Sequence, residues 1–97
     1  MAKFLVLHTI DLRTADAAEY SSEAQMANVN DYLAAYTAET YCMESWVAAG
    51  AGKIACLWEA PSEQAIIDVF AKMPQKSRVP VEGIYPAMVI DWREMKR

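Results

Sequence analysis

The chain reads as one α+β domain, a four-stranded antiparallel sheet with two helices on one of its faces. Three observations predict this. Four short segments, 3–11, 41–49, 53–59 and 83–92, are rich in aliphatic, β-branched and aromatic residues, as strands are. Two longer segments between them repeat apolar residues at helical spacing. Turn and cap residues fall at the joints, so the order becomes β-α-β-β-α-β.

Each element has its own justification. In 3–11, Phe4, Val6, His8 and Ile10 share one face and Leu5, Leu7, Thr9 and Asp11 the other. Both faces are largely apolar, which predicts that both are covered. Thr14–Asp16 offers a helix start, and Ser22 with Gln25 three residues later offers a better capping pair. Met26, Val29, Leu33 and Tyr36 then form a helical stripe that ends near 37–40. Segments 41–49 and 53–59 make a hairpin whose turn, Ala49-Gly50-Ala51-Gly52, supplies glycine where a positive φ is needed. If Ala48 faces Lys53, a regular ladder puts Tyr41, Met43, Ser45 and Val47 on one face with Ile54, Cys56 and Trp58. Cys42, Glu44, Trp46, Lys53, Ala55, Leu57 and Glu59 fall on the other. Cys42 and Cys56 would then point to opposite faces, which disfavours a disulfide between them.

Pro61 suits a first helical turn and Glu63 the positive end of the helix dipole. Ile66, Ile67, Phe70 and Met73 form the stripe of the second helix, which stops before Pro74. Residues 75–82 are a polar connection. The last strand, 83–92, contains Pro86, which is tolerated mainly at a sheet edge. Ile84, Met88, Ile90 and Trp92 occupy one of its faces, Tyr85, Val89 and Asp91 the other, and 92–97 forms a frayed tail. This is the split-βαβ or ferredoxin-like arrangement, covering 1–97 as a single domain. Right-handed crossovers place the first and third strands centrally and the second and fourth at the edges. Pro86 independently assigns the fourth strand to an edge.

Composition narrows the function. The chain has 97 residues and a net charge of −4, with residues 1–52 at −5 and 53–97 at +1. No basic stripe exists, so nucleic acid is not an expected partner. No uncharged run exceeds eight residues, so no transmembrane helix is expected. Two cysteines without a secretory signal predict free thiols and a cytoplasmic location. Glycine-rich phosphate loops, nucleophile elbows and paired-cysteine redox motifs are absent. A domain this short buries only about 60–65% of its unfolded surface, so a second copy would add appreciable stability.

The pieces Lys3-Phe4-Leu5-Val6, Glu44-Ser45-Trp46-Val47 and Cys56-Leu57-Trp58-Glu59-Ala60-Pro61-Ser62-Glu63-Gln64-Ala65-Ile66 resemble the small nickel-binding-protein-like family of ferredoxin-fold proteins. The resemblance implies a homodimer closed through the open sheet face, as in dimeric α+β barrels. It also implies a small-ligand-binding role with nickel or another divalent metal as the candidate cofactor. The family's histidine on the second helix is replaced here by Val69. The chain's one histidine, His8, leaves too few soft ligands for such a metal, so none is assigned. A site shared across a dimer by His8, Glu44 and Cys56 is the one arrangement that could supply more.

His8 is the first candidate for chemistry, because imidazole titrates near neutrality and suits a general base. His8, Tyr41, Cys56, Trp58 and Tyr85 are the expected ligand contacts. Core packing is the competing account of each, including Trp46 and both cysteines. Glu44 and Glu59 share the mixed face and could act as an acid-base pair or hold a cation. The leading expectation is a small cytoplasmic binding protein of unknown ligand. A cofactor-independent monooxygenase or isomerase using His8, and a purely structural interaction module, are the alternatives.

Overall fold

The computed structural model describes residues 2–9, 22–74 and 80–95, without the side chains of 22–28 and Ala49. Ile10, Asp11, the helix start at Thr14–Asp16, the side chains of Ser22, Gln25 and Met26, and residues 75–79 of the polar connection lie outside the described residues. The elements follow the expected order: β1 (Ala2–Thr9), α1 (Ser22–Ala35), β2 (Tyr41–Ala48), β3 (Lys53–Ala60), α2 (Glu63–Lys72) and β4 (Val81–Ala87). Short 3-10 turns occupy Ala49–Ala51 and Trp92–Glu94.

The strands lie in the order β2-β3-β1-β4, all antiparallel, which is the ferredoxin-like topology with β1 and β3 central. Pro86 does sit in an edge strand. The hairpin closes with Ala48 opposite Lys53, and Gly52 takes φ 66°, the positive value expected at this turn.

The ladder between β2 and β3 is not regular, and this corrects the face assignment. Cys42 pairs with Trp58 but Glu44 pairs with Leu57, so Met43 is an extra residue, a β-bulge. Because side chains alternate with period two, one inserted residue exchanges the faces of everything beyond it. Tyr41 therefore lies on the same face as Glu59, and Cys42 on the same face as Cys56. A second shift leaves Leu7 opposite Gly83 but His8 opposite Val81, so β4 bulges at Glu82.

β4 also ends earlier than the apolar run 83–92 suggests. The β1–β4 ladder ends with Lys3 opposite Ala87, and Met88–Ile90 continue without strand pairing. The chain turns instead through Trp92–Glu94, capped by Asp91, whose carboxylate accepts from the Arg93 backbone N–H at 2.9 Å. Residues 92–95 thus have local order where a frayed tail was expected.

The two helices cover one sheet face. α2 is capped by Ser62, whose Oγ accepts from the Ala65 N–H at 3.2 Å, with Pro61 just before the cap rather than inside the helix. Its inward residues are Ile66, Val69, Phe70 and Met73, while Ile67 is exposed. The true stripe runs at 3, 1 and 3 spacing, one face of a 3.6-residue period. α1 turns differently from its expected stripe as well. Val29 and Leu33 are exposed, whereas Tyr32, Ala35 and Tyr36 face the core. Two tyrosines one turn apart bring more area inward than the aliphatic pair, and Ala35 between them allows close approach. The core holds Phe4, Val6, Cys56, Trp58 and Ala60 from the sheet beneath these helical residues. Burying a side chain such as Val6 or Ile66 contributes about 1.5–3 kcal/mol.

Candidate functional site

Two places concentrate functional groups, one on each face of the sheet. On the face away from the helices, the register arranges side chains in rows across the strands. One row is Tyr41, Glu59, Lys3 and Ala87, and the next is Glu44, Leu57, Leu5 and Tyr85. The third is Trp46, Ala55, Leu7 and Gly83, and the last joins Lys53 and Thr9. The two middle rows form an apolar band, with Leu57 packed at its centre and Trp46 and Tyr85 about half exposed at its sides. Tyr85 leans along its own strand, its ring over Gly83, where any Cβ would collide with it.

Both end rows are polar. Tyr41 donates to Glu59 Oε2 at 2.5 Å, and Glu59 lies opposite Lys3. That hydrogen bond favours the neutral phenol and raises the Tyr41 pKa above its ordinary value. At the other end Lys53 Nζ meets Glu82 Oε2 at 2.9 Å, and Thr9 Oγ1 bridges the two, accepting from Lys53 and donating to Glu82. The Lys53 ammonium and the Thr9 hydroxyl hold the Glu82 carboxyl below the usual carboxylate range. Arg93 is bound to the Asp91 carboxylate, which raises its proton affinity, and the Glu44 charge raises it further. The turn after β4 therefore lies within electrostatic reach of β2, at the opposite edge of the sheet. Around it Met88, Val89, Ile90 and Trp92 are exposed apolar side chains. An open cleft of about 450 Å³ runs beside this segment, between Ala2, Lys3 and residues 86–89.

Under the helices the side chains are closely packed. Phe70 lies 5.3 Å from Trp58, 6.1 Å from Tyr32 and 6.0 Å from His8, ring centre to ring centre. Tyr36 stands edge-on to Trp58 at 5.4 Å. Trp58 Nε1 is buried with no hydrogen-bond partner among the described residues, a cost of about 1–3 kcal/mol that the ring's packing offsets. Burial pushes the Tyr32 hydroxyl well above its ordinary pKa, and burial with the neighbouring Cys42 pushes Tyr36 to about 12. At the β2 side of this layer, Ser45 Oγ donates to Cys56 Sγ at 3.2 Å and lies 3.5 Å from Cys42 Sγ. The Cys42 thiol is held near 7, chiefly by a hydrogen bond from the Cys56 thiol, with burial opposing and Ser45 assisting. The same contact with Cys42, together with burial, pushes Cys56 far up.

The residues singled out from sequence do not form one site. His8 is 2% exposed, its Nδ1 lies 3.3 Å from the Pro80 carbonyl, and its ring contacts Phe70. A hydrogen bond to that carbonyl needs the proton on Nδ1. His8, Cys56 and Trp58 are together on the helix side, but Tyr41 and Tyr85 are on the open side. The Met43 bulge separates Tyr41 from Trp58, contrary to the regular ladder. Glu44 also faces away from His8 and Cys56, so those three cannot share a metal within one chain. Among the described residues no group of three or more His, Cys, Asp or Glu could hold a metal ion. Glu44 and Glu59 do share the open face, with Glu59 engaged by Tyr41. Sequence reasoning missed the Cys42–Ser45–Cys56 cluster, since the bulge that assembles it has no signature in the residues themselves. Among the described residues no helix is long and apolar enough to cross a membrane.

No family model and no curated protein matches the chain. Among solved structures it is similar to the crystal structure of SCO4226 from Streptomyces coelicolor A3(2), with a TM-score of 0.63. The match covers 93% of this chain and 100% of that one at 19% identity. A likeness at that identity shows the fold, and the fold is the ferredoxin-like α+β sandwich.

Proposed function

We propose that the chain is a small cytoplasmic ligand-binding protein that works as a homodimer, two copies apposing their open sheet faces as in dimeric α+β barrels. One observation carries this reading: a largely apolar band of Leu5, Leu7, Leu57, Trp46 and Tyr85, with Glu44 at its β2 end, has no helix over it among the described residues and lies between two polar rows, one holding the Lys53–Glu82 ion pair and the other the Tyr41–Glu59 hydrogen bond. Depletion of unpaired charge at the centre, with aromatics flanking it, is the anatomy of a protein interface. A second copy suits the band because it brings the same apolar surface to it. The exposed apolar run Met88–Trp92 beside the band extends that surface.

The ligand would lie between the apposed faces, against Trp46 and Tyr85 and within reach of Tyr41, since the space beneath the helices is filled by the Trp58–Phe70–Tyr32 rings. That favours an aromatic or aliphatic small molecule over an ion. The free cysteines fit a reducing compartment. A cofactor-independent enzyme working through His8 is the less favoured reading, because among the described residues His8 is buried against Pro80 and Phe70. Native mass spectrometry of the protein as purified from cells tests the proposal. It is expected to give twice the 10.9 kDa chain mass plus a retained organic molecule. A bare monomer at all concentrations would refute it.

A further inference from the structure

We propose that Cys42 and Cys56 form a hydroperoxide-reactive pair on the helix side of the hairpin, Cys42 as the attacking thiol and Cys56 as the resolving one. The bulge at Met43 is what assembles it: a regular ladder would put the two sulfurs on opposite faces, whereas the observed register puts both beside Ser45. Their surroundings assign the roles. Cys42 is on an edge strand and partly exposed, open to a small oxidant, while Cys56 is on a central strand, buried behind it. Ser45 Oγ, 3.2 Å from one sulfur and 3.5 Å from the other, is placed to hydrogen-bond whichever carries negative charge. In the resting thiol form Cys42 Sγ donates to the Glu44 carbonyl at 3.3 Å, within the bulge itself. The lowered pKa of Cys42 and the raised one of Cys56 agree with this asymmetry, leaving the proton on Cys56 near neutral pH.

The chemistry closes without a cofactor. The Cys42 thiolate attacks one oxygen of a hydroperoxide; the S–O bond forms as the O–O bond breaks. The departing alkoxide or hydroxide takes a proton and leaves as alcohol or water, and Cys42 becomes a sulfenic acid. The Cys56 thiol then gives up its proton and attacks the Cys42 sulfur, forming the S–S bond as the S–O bond breaks. Hydroxide leaves and, with that proton, becomes a second water. Two thiols are oxidised and one hydroperoxide is reduced. Closure requires the sulfurs to approach to about 2.05 Å, and the bulged backbone at Met43 is where β2 can bend to allow it.

The test uses the full chain treated with one equivalent of hydrogen peroxide, followed by intact mass and peptide mapping. The wild type is expected to lose two hydrogens in mass, with Cys42 and Cys56 joined within one chain. Cys56→Ser should stop at a Cys42 sulfenic acid that dimedone traps, and Cys42→Ser should leave Cys56 a thiol. In the untreated protein at pH 7, iodoacetamide should label Cys42 at least ~10-fold faster than Cys56, as thiolate content and access dictate. Ser45→Ala should move the alkylation profile of Cys42 to higher pH. Inert thiols, a disulfide between copies, or Cys56 reacting first would overturn the proposal. The wild-type peptide map decides these outcomes even if a variant fails to fold.

Discussion

The two faces of the sheet draw on alternate residues of the same central strands, yet they end in different environments. On the helix side Phe4, Val6, Cys56 and Trp58 are buried beneath Ile66, Val69, Phe70 and Met73. On the other side Leu5, Leu7 and Leu57 are nearly as apolar, but among the described residues no helix is layered over them, although Leu57 is buried between its neighbours. Alternation in β1 and β3 therefore does not separate an apolar face from a polar one; it separates a face packed under the two helices from an apolar face with no helix over it among the described residues. The two faces also differ in how polar groups are handled. The helix side carries an indole N–H without a partner among the described residues and a thiol pair, whereas the open side has an ion pair at one end of the band and a tyrosine–carboxylate hydrogen bond at the other.

Substitutions on matched positions sharpen this contrast, the largest effect coming from the helix side. Ile66→Ala removes a fully buried side chain and should lower unfolding free energy by about 2–5 kcal/mol in urea titration. A loss near zero would mean that α2 does not pack as described. On the open face, Trp46→Ala should leave the stability of an isolated chain within about 1 kcal/mol but weaken association by about 2 kcal/mol, roughly 30-fold in dissociation constant. Equal loss of both properties would erase the distinction between the faces. Ser62→Ala removes the cap of α2 and should cost about 1 kcal/mol, without affecting association.

The smallest effect at neutral pH is a titration. Tyr32 and Tyr36 have pKa values raised by burial, Tyr36 to about 12. A raised folded-state pKa means the stabilisation is complete below the unfolded value of about 10 and is lost as pH climbs through the folded one. Phenolate absorbance should therefore include a late component, and Tyr32→Phe with Tyr36→Phe should reduce it, leaving the part from Tyr41. Ionisation of every tyrosine near pH 10 in a folded protein would contradict the packing around Trp58.

Much of this architecture was legible in the residues. The hairpin register followed from Gly52, the end of α2 from Pro74, and the edge position of β4 from Pro86, because each depends on a local backbone constraint. What was not legible depends on partners distant in sequence. Met43 and Glu82 bulge without any residue that announces it, and the first of these moved Tyr41 and Cys42 to opposite faces from those expected. β4 stops pairing at Ala87, although its own sequence stays apolar to Ile90. In α1, periodicity alone selected Val29 and Leu33, but the interior is claimed by the aromatic rings that meet Trp58 and Phe70. The candidate site suffered most, since a face assignment is only as good as the register beneath it.

The claim that the open face is an interface between copies of this chain is tested most directly by sedimentation equilibrium of the wild-type protein beside Trp46→Asp. The account predicts a wild-type mass of twice 10.9 kDa at micromolar concentration, with the variant, a charge placed in the apolar band, at the monomer mass and still folded. A wild-type chain that stays monomeric up to roughly millimolar concentration, or a variant that dimerises as well as the wild type, would contradict it.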